Sequence, residues 1–382
     1  MKILFLSSWY PNRLNPHLGN FVQRHADAVS KFNDVASLYV SSDPNLTKKF
    51  DIEIKRINDV FTVNVYYKKV KDIFIIGLWM KYFRLQKAYR AGYNEVVKYF
   101  NSKPDVVHLN VAYPAGLFAM KLKKESGIPY VITEHSTKYH LTIDRPETYL
   151  TKKICNGAEL ICPVSEDLGK VMKTKGFAKN FEVVPNVVDI NTFRIADKKQ
   201  HPKTKIIHIS TLLEWQKNIS GMLRIIKKLS ETRTDFELNI ISEKDSTGAI
   251  ALAKQLGLPN SIVQFYPDQP IEKVAEMLRG SDVLLLFSNF ENSPCVIIEA
   301  LASGVPVVSS NVGGISELIN SKNGLLVNAK DEDALYEKLN TMLNEHKTFD
   351  KEEMRKNAIG KFSYDVVGKK FTDIYRRVLS SG

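Results

Sequence analysis

The chain has 382 residues and a mass of 43.4 kDa, of which 44% are hydrophobic and 25% charged, enough for two α/β domains with full cores. Its +12 charge points to an anionic partner or surface and is unevenly placed: 28 basic against 18 acidic groups in residues 1–190, 17 against 19 in 191–345, and 9 against 5 beyond. Cys155, Cys162 and Cys295 form no CxxC pair, which excludes a disulfide framework and a cysteine zinc site, and neither a dinucleotide GxGxxG nor a P-loop is present.

The opening Met1–Leu6 is too short for the apolar core of a signal peptide, and the uncharged run Ile73–Met80 is too short to cross a bilayer. A cytoplasmic protein with reduced thiols is expected. In chain order, short Val- and Ile-rich runs alternate with segments of helical period, the pattern of βαβ units. Strands are expected over Lys2–Leu6, Val35–Val40, Thr62–Tyr67, Asp105–Leu109, Tyr130–Thr133, Leu160–Pro163 and Glu182–Val184. A glycine turn at Gly19 leads into a helix from Asn20. Within Trp79–Arg90, helical spacing sets Trp79, Tyr82, Phe83, Leu85 and Tyr89 on one arc and Lys81, Arg84 and Lys87 on the other. That segment is read as a domain helix with a core-facing apolar side in preference to one docked on anionic lipid.

A polar stretch, Asn191–Pro202, with neither period reads as a linker. Strands resume at Lys205–Ile209, Phe236–Ile241, Ile262–Phe265, Asp282–Phe287 and Val305–Ser309, and a last helix runs from Tyr364 to about Leu379. The fold class is α/β, with two Rossmann-like domains: 1–188 with 364–382, a linker at 189–204, and 205–363. Each parallel sheet offers a ligand crevice at its strand C-termini, and facing crevices would make a central cleft.

The richest passage begins at Asp282. A buried strand ends at Phe287, a polar loop Ser288–Ser293 follows, and a helix is expected with Ser293 as N-cap, Pro294 at its first position and Gly304 just past its end. The amides of Cys295 and Val296 at such a helix start suit phosphate. Glu291 and Glu299, bracketing the turn, can accept bonds from paired sugar hydroxyls. A second glycine turn, Gly313-Gly314, lets backbone approach a diphosphate. Phosphate flanked by hydroxyl acceptors is the layout of a nucleotide sugar. Asp331-Glu332-Asp333 could hold a divalent ion but precedes a helix and is read as capping.

Glu291-x7-Glu299, Ala300–Val308 and Gly313–Leu318 resemble the signature of family 4 retaining glycosyltransferases, which have the GT-B fold. Asp105–Leu109 with Pro114–Gly116, Ile128–His135, Pro185–Asp189 and Trp9–Phe21 resemble other family segments in order. The resemblance implies two Rossmann-like domains with the last helix crossing back onto the first. It implies donor binding by Thr211, Lys217, Glu291, Cys295, Val296, Glu299, Gly313 and Gly314, with Gly19, Asn20, Arg24 and His135 on the acceptor side. His135, Lys217 and Glu291 are the catalytic candidates. Thr211 stands where the family has an arginine, so one charge is missing or another cation, such as Arg24 or Arg145, replaces it. Without the resemblance, Lys217 reads as a solvated lysine opening a helix, His135 as a loop residue and Gly19 as a helix-initiating glycine.

The implied function is a metal-independent retaining glycosyltransferase in surface glycan or glycolipid biosynthesis. It needs no cofactor besides its nucleotide diphosphate sugar, uses a glycan or lipid-linked acceptor and does not bind nucleic acid. The basic N-terminal half favours an anionic membrane surface as partner, placing the protein on the inner face of the membrane. A nucleotide-sugar 2-epimerase of the same architecture and a noncatalytic two-lobe sugar-binding protein are the other readings.

Overall fold

Runs of buried aliphatic residues build two sheets, as the alternation requires. A computed structural model describes residues 1–69, 74–140, 146–196 and 201–380. The chain forms two compact units, Met1–Val187 with Tyr364–Gly382, and Val188–Ser363.

The first unit contains β1 (Lys2–Ser7), α1 (Asn20–Ser30), β2 (Asp34–Asp43), β3 (Phe50–Ile57), β4 (Val60–Lys68) and α2 (Phe74–Phe100). It continues through β5 (Val106–Asn110), α3 (Gly116–Ser126), β6 (Tyr130–Glu134), α4 (Pro146–Gly157), β7 (Leu160–Pro163) and α5 (Glu166–Thr174). The sheet order is β3-β4-β2-β1-β5-β6-β7. Central β1 is parallel to both neighbours, with Ile3 opposite Val35 and Val106. Its order reverses between β1 and β5, so the crevice of this sheet opens at Ser7 and Asn110.

The second unit runs β8 (Thr204–Ile209), α6 (Glu214–Lys217), α7 (Ile219–Ser230), β9 (Phe236–Ile241), α8 (Thr247–Gln255), β10 (Val263–Tyr266) and α9 (Ile271–Arg279). It ends with β11 (Val283–Leu286), α10 (Cys295–Ala302), β12 (Val307–Ser310), β13 (Gly324–Val327), α11 (Glu332–Glu345) and α12 (Lys351–Phe362). All its strands are parallel, in the order β10-β9-β8-β11-β12-β13. The order reverses between β8 and β11.

Several expectations need correction. β3 was not foreseen because Asp51, Glu53, Lys55 and Arg56 break its apolar pattern; it is an antiparallel edge strand whose charges guard the open edge. Short β13 begins at Gly324 and was also unforeseen. Glu182–Val184 makes no strand, and that region contributes only a bridge between Ile161 and Phe181. The stretch after Asp189 is not a free linker. Phe193 is buried in the second unit's core, and Arg355 donates to Phe193 O (2.8 Å) and Ile190 O (2.9 Å). Residues 197–200 of that stretch lie outside the described residues.

In α2 the buried side is Gln86, Ala88, Tyr89, Tyr93, Val96 and Phe100, with Leu85 packed at its margin. Tyr82 and Phe83, expected on the core arc, are exposed; the side chain of Trp79 lies outside the description. Among the described side chains of α2, from Met80 onward, burial begins near Leu85, so helical period alone misplaces Tyr82 and Phe83.

The last helix, α13 (Tyr364–Ser380), belongs to the first unit and packs on α1. Phe371 and Tyr375 enter the core, and Asn33 Nδ2 donates to Thr372 Oγ1 at 2.8 Å. The approach needs Gly368, where a Cβ would lie 2.1 Å from Ala28 O. Gly368→Val should therefore cost about 2 kcal/mol or more by forcing the helices apart, read as a lower midpoint in urea unfolding of the first unit.

Candidate active site

In the second unit the site is built where the sheet order reverses, from the loops that leave β8 and β11. Buried His208 sets the first. Its Nδ1 donates to Leu285 O (2.8 Å), so Nε2 accepts from Ser210 Oγ (2.7 Å), which accepts from Leu212 N (3.1 Å). Burial lowers the His208 pKa to about 4, keeping the ring neutral for this chain of bonds. Leu212 turns with φ 53, and α6 makes a single helical turn. Lys217 is the last residue of that turn rather than the opening of a helix, because Asn218, with φ 48, breaks the chain before α7.

Glu291 comes from the loop after β11. Lys217 Nζ donates to Glu291 Oε1 at 2.5 Å, and Ser288 Oγ donates to the same oxygen at 2.8 Å. The side chains are only 13% and 6% exposed, so the pair is held largely out of water. Its two loops are stitched by Asn289 N to Gln216 O (2.7 Å) and Asn289 Nδ2 to Trp215 O (3.1 Å).

The double glycine packs under Glu291. Gly313 has φ +54, and a Cβ there would stand 1.9 Å from Glu291 O; Gly314 N donates to Asn292 O at 3.0 Å. The helix expected from Pro294 starts one residue later. Pro294, with ψ 121, occupies the cap position and no side chain caps α10, in place of the expected Ser293 cap. Cys295 and Val296 thus open α10, half-exposed, where amides lack intrahelical acceptors. Gly304, at φ +69, ends it as expected, with Gly304 N on Leu301 O and Val305 N on Ala300 O. Glu299 is buried within this helix, and Thr211 Oγ1 is buried with no hydrogen-bond partner among the described residues. Asp331 caps α11 through Ala334 N (2.9 Å), while Glu332 and Asp333 pair with Arg224 and Lys228.

The residues expected on the acceptor side lie in the first unit. Gly19, at φ 67, precedes α1 so closely to Trp9 that a Cβ would lie 2.6 Å from that residue's backbone. Asn20 is exposed and Arg24 half-buried; Arg145 lies outside the described residues. Phe21 and His25 on α1 face His135, with ring centroids 4.4 and 5.5 Å away. Glu134 and His135 do not split between core and surface as strand alternation suggests, because β6 ends at Glu134 and both are buried. Glu134 accepts from Ala112 N (3.0 Å), His135 N (2.9 Å), Ser136 N (3.0 Å) and Tyr139 OH (2.9 Å). Burial raises its pKa and those donors oppose the rise. Burial, with His25 and His108 close by, holds the His135 pKa well below the ordinary range, so its ring is neutral.

Sequence reasoning missed Ser288, His208 and Asn186. Asn186 bonds to the His135 side chain, and His25 Nε2 donates to the neighbouring Pro185 O at 3.0 Å. The signal for Asn186 lay in Pro185–Asp189, a matched segment to which no role was given.

The family pattern described as glycosyl transferases group 1 matches residues 190–361, and that described as Glycosyltransferase Family 4 matches residues 57–192. The chain is a family 4 glycosyltransferase. A Bacillus subtilis protein named as a teichuronic acid biosynthesis glycosyltransferase is 24% identical over 88% of each chain. Lipopolysaccharide 1,6-galactosyltransferase of Salmonella typhimurium is 21% identical over 77% of this chain and 75% of its own. The solved structure of Anabaena HepE in complex with UDP and glucose superposes with a TM-score of 0.72 at 16% identity, over all of both chains. The two parallel sheets of this glycosyltransferase are those of the GT-B fold.

Two outcomes test this geometry. Gly313→Ala should cost the glycosyltransferase about 2 kcal/mol or more, since its Cβ meets backbone, and a variant that melts like wild type would contradict the close approach to Glu291. His25, pushed by burial from 6.5 to about 4, is neutral when folded and binds a proton when unfolded. The stability it protects is present above about pH 6.5 and lost as pH falls towards 4. The melting temperature should fall through that window, and His25→Gln, which keeps a donor for Pro185 O, should fall less.

Proposed function

We propose that this glycosyltransferase is retaining and metal-independent and takes its sugar from a nucleotide diphosphate donor bound by the second unit. The observation that carries the reading is the shielded Lys217–Glu291 pair beside the start of α10 at the reversal of the sheet order. In this reading Lys217 and the amides of Cys295 and Val296 meet the diphosphate, where positive charge is needed as it leaves. Glu291 and Glu299 accept from donor sugar hydroxyls. Gly313 and Gly314 hold the Glu291 loop and bring backbone to the phosphates.

The acceptor belongs to the first unit, with Gly19, Asn20, Arg24 and His135. Transfer follows same-face attack: the acceptor oxygen bonds to the anomeric carbon as the bond to the phosphate oxygen breaks, and that oxygen takes the acceptor's proton. Neutral His135 supports the positive charge developing on the sugar. Thr211 supplies no charge at the arginine position, so Lys217 carries more of the leaving-group stabilisation. The relatives named for teichuronic acid and lipopolysaccharide synthesis support a surface glycan or glycolipid product, and the basic first half supports an acceptor held at an anionic membrane.

Nucleoside diphosphates, screened by thermal shift, should raise the melting temperature for one base class. With the donor so identified, Lys217→Ala and Glu291→Ala should each lower turnover roughly a hundredfold or more. Near-native turnover in either folded variant would overturn the assignment. Activity should survive EDTA; loss restored by a divalent ion would refute metal independence.

A further inference from the structure

Strands β1, β5 and β6 end side by side where the order of the first sheet reverses. The pairing of β5 with β6 closes with Val111 N on Thr133 O (3.0 Å). The amides of Ala112, His135 and Ser136 lie beyond that bond and need another acceptor. One side chain serves them all. Glu134 Oε1 accepts from His135 N (2.9 Å) and Ser136 N (3.0 Å), and Oε2 accepts from Ala112 N (3.0 Å) and Tyr139 OH (2.9 Å). From the end of β1, Ser8 Oγ donates to Val111 O (2.7 Å) and accepts from Ala115 N (3.0 Å). Val111 has φ 61, a left-handed conformation unfavourable for a β-branched side chain, so this turn persists because its neighbours hold it.

Glu134 is fully buried, and no lysine or arginine balances it among the described residues. Three of its four partners are amides, which can only donate, so the set of bonds is complete only around a carboxylate ion. A neutral amide of the same shape has one accepting oxygen and would turn N–H groups towards the other pair of donors. The His135 ring is flanked by Phe21, with centroids 4.4 Å apart, and bonds to Asn186. Its backbone is held by Glu134.

We infer that Glu134 is a positioning residue for glycosyl transfer: its buried carboxylate ties the turns after β5 and β6 together and sets the place from which the His135 ring meets the charge developing on the sugar. The inference rests on the role proposed for His135 and adds the group through which that role is fixed. A carboxylate that served the fold alone would change the melting temperature and leave the turnover of folded enzyme as it is.

Turnover is read as nucleoside diphosphate released, with water as acceptor, from whichever of UDP-glucose, UDP-N-acetylglucosamine, GDP-mannose and ADP-glucose the wild type consumes fastest. Glu134→Gln, shown to be folded by circular dichroism, should lower kcat about thirtyfold and keep the donor KM within about threefold, because a misplaced group costs rate and the donor is held elsewhere. His135→Ala should also lower kcat. Adding Glu134→Gln to it should cost less than about threefold more, since both act through one ring. In hydrogen exchange, residues 135–140 should exchange about tenfold faster in Glu134→Gln, with the second unit as in wild type. Unchanged exchange there, near-native kcat in Glu134→Gln, or losses that multiply in the double variant would each overturn the inference. A His135→Ala variant that turns over like wild type would sink the His135 reading and the inference with it. Slow His135→Ala beside fast Glu134→Gln would overturn the inference and leave that reading standing.

Discussion

The ion pair between Lys217 and Glu291 is the constraint on which the second unit's site depends. A lysine and a glutamate so shielded are costly unless paired and hydrogen-bonded. The surrounding sequence supplies what the pair requires. His208 and Ser210 turn the chain out of β8, α6 presents the lysine, Ser288 adds a second donor to the carboxylate, and Gly313 lets backbone pass beneath it. Parallel strands β8 and β11 are neighbours in the sheet though far apart in sequence, and their adjacent exits bring the two charges together.

The first unit solves a different problem. Its buried histidines are kept uncharged: His25, His108 and His135 all have depressed pKa values. Thr133 and Tyr375 each bond to His108 at 2.6 Å, and Phe371 packs against both His25 and His108. The C-terminal helix thereby helps fix the histidine cluster. A neutral imidazole, unlike an imidazolium, does not repel a developing positive charge, which matches the role proposed for His135.

Much of this was legible in the sequence because it is local. Strands such as Val283–Leu286 are continuous apolar runs, and Gly304 marks the end of α10 by a conformation that glycine favours. What escaped depends on partners distant in the chain. No periodicity shows that Lys217 and Glu291 bind each other, that Asn186 bonds to His135, or that Glu134 is held by donors from two other segments. Tyr82 and Phe83 have the period of a core helix, yet both are exposed, which the pattern of residues does not reveal. The glycine pair at 313–314 was recognised as a close approach, but what lies against Gly313 is the backbone of Glu291.

The +12 charge divides accordingly: the charges of the second unit nearly cancel, while the first half carries most of the surplus, part of it on α2. The most direct test of the central claim is calorimetric titration of the preferred nucleoside diphosphate and its monophosphate into wild type and Lys217→Met. The account predicts that the variant loses affinity for the diphosphate by roughly tenfold or more, with a smaller loss for the monophosphate. Equal diphosphate affinity in a folded variant would contradict it.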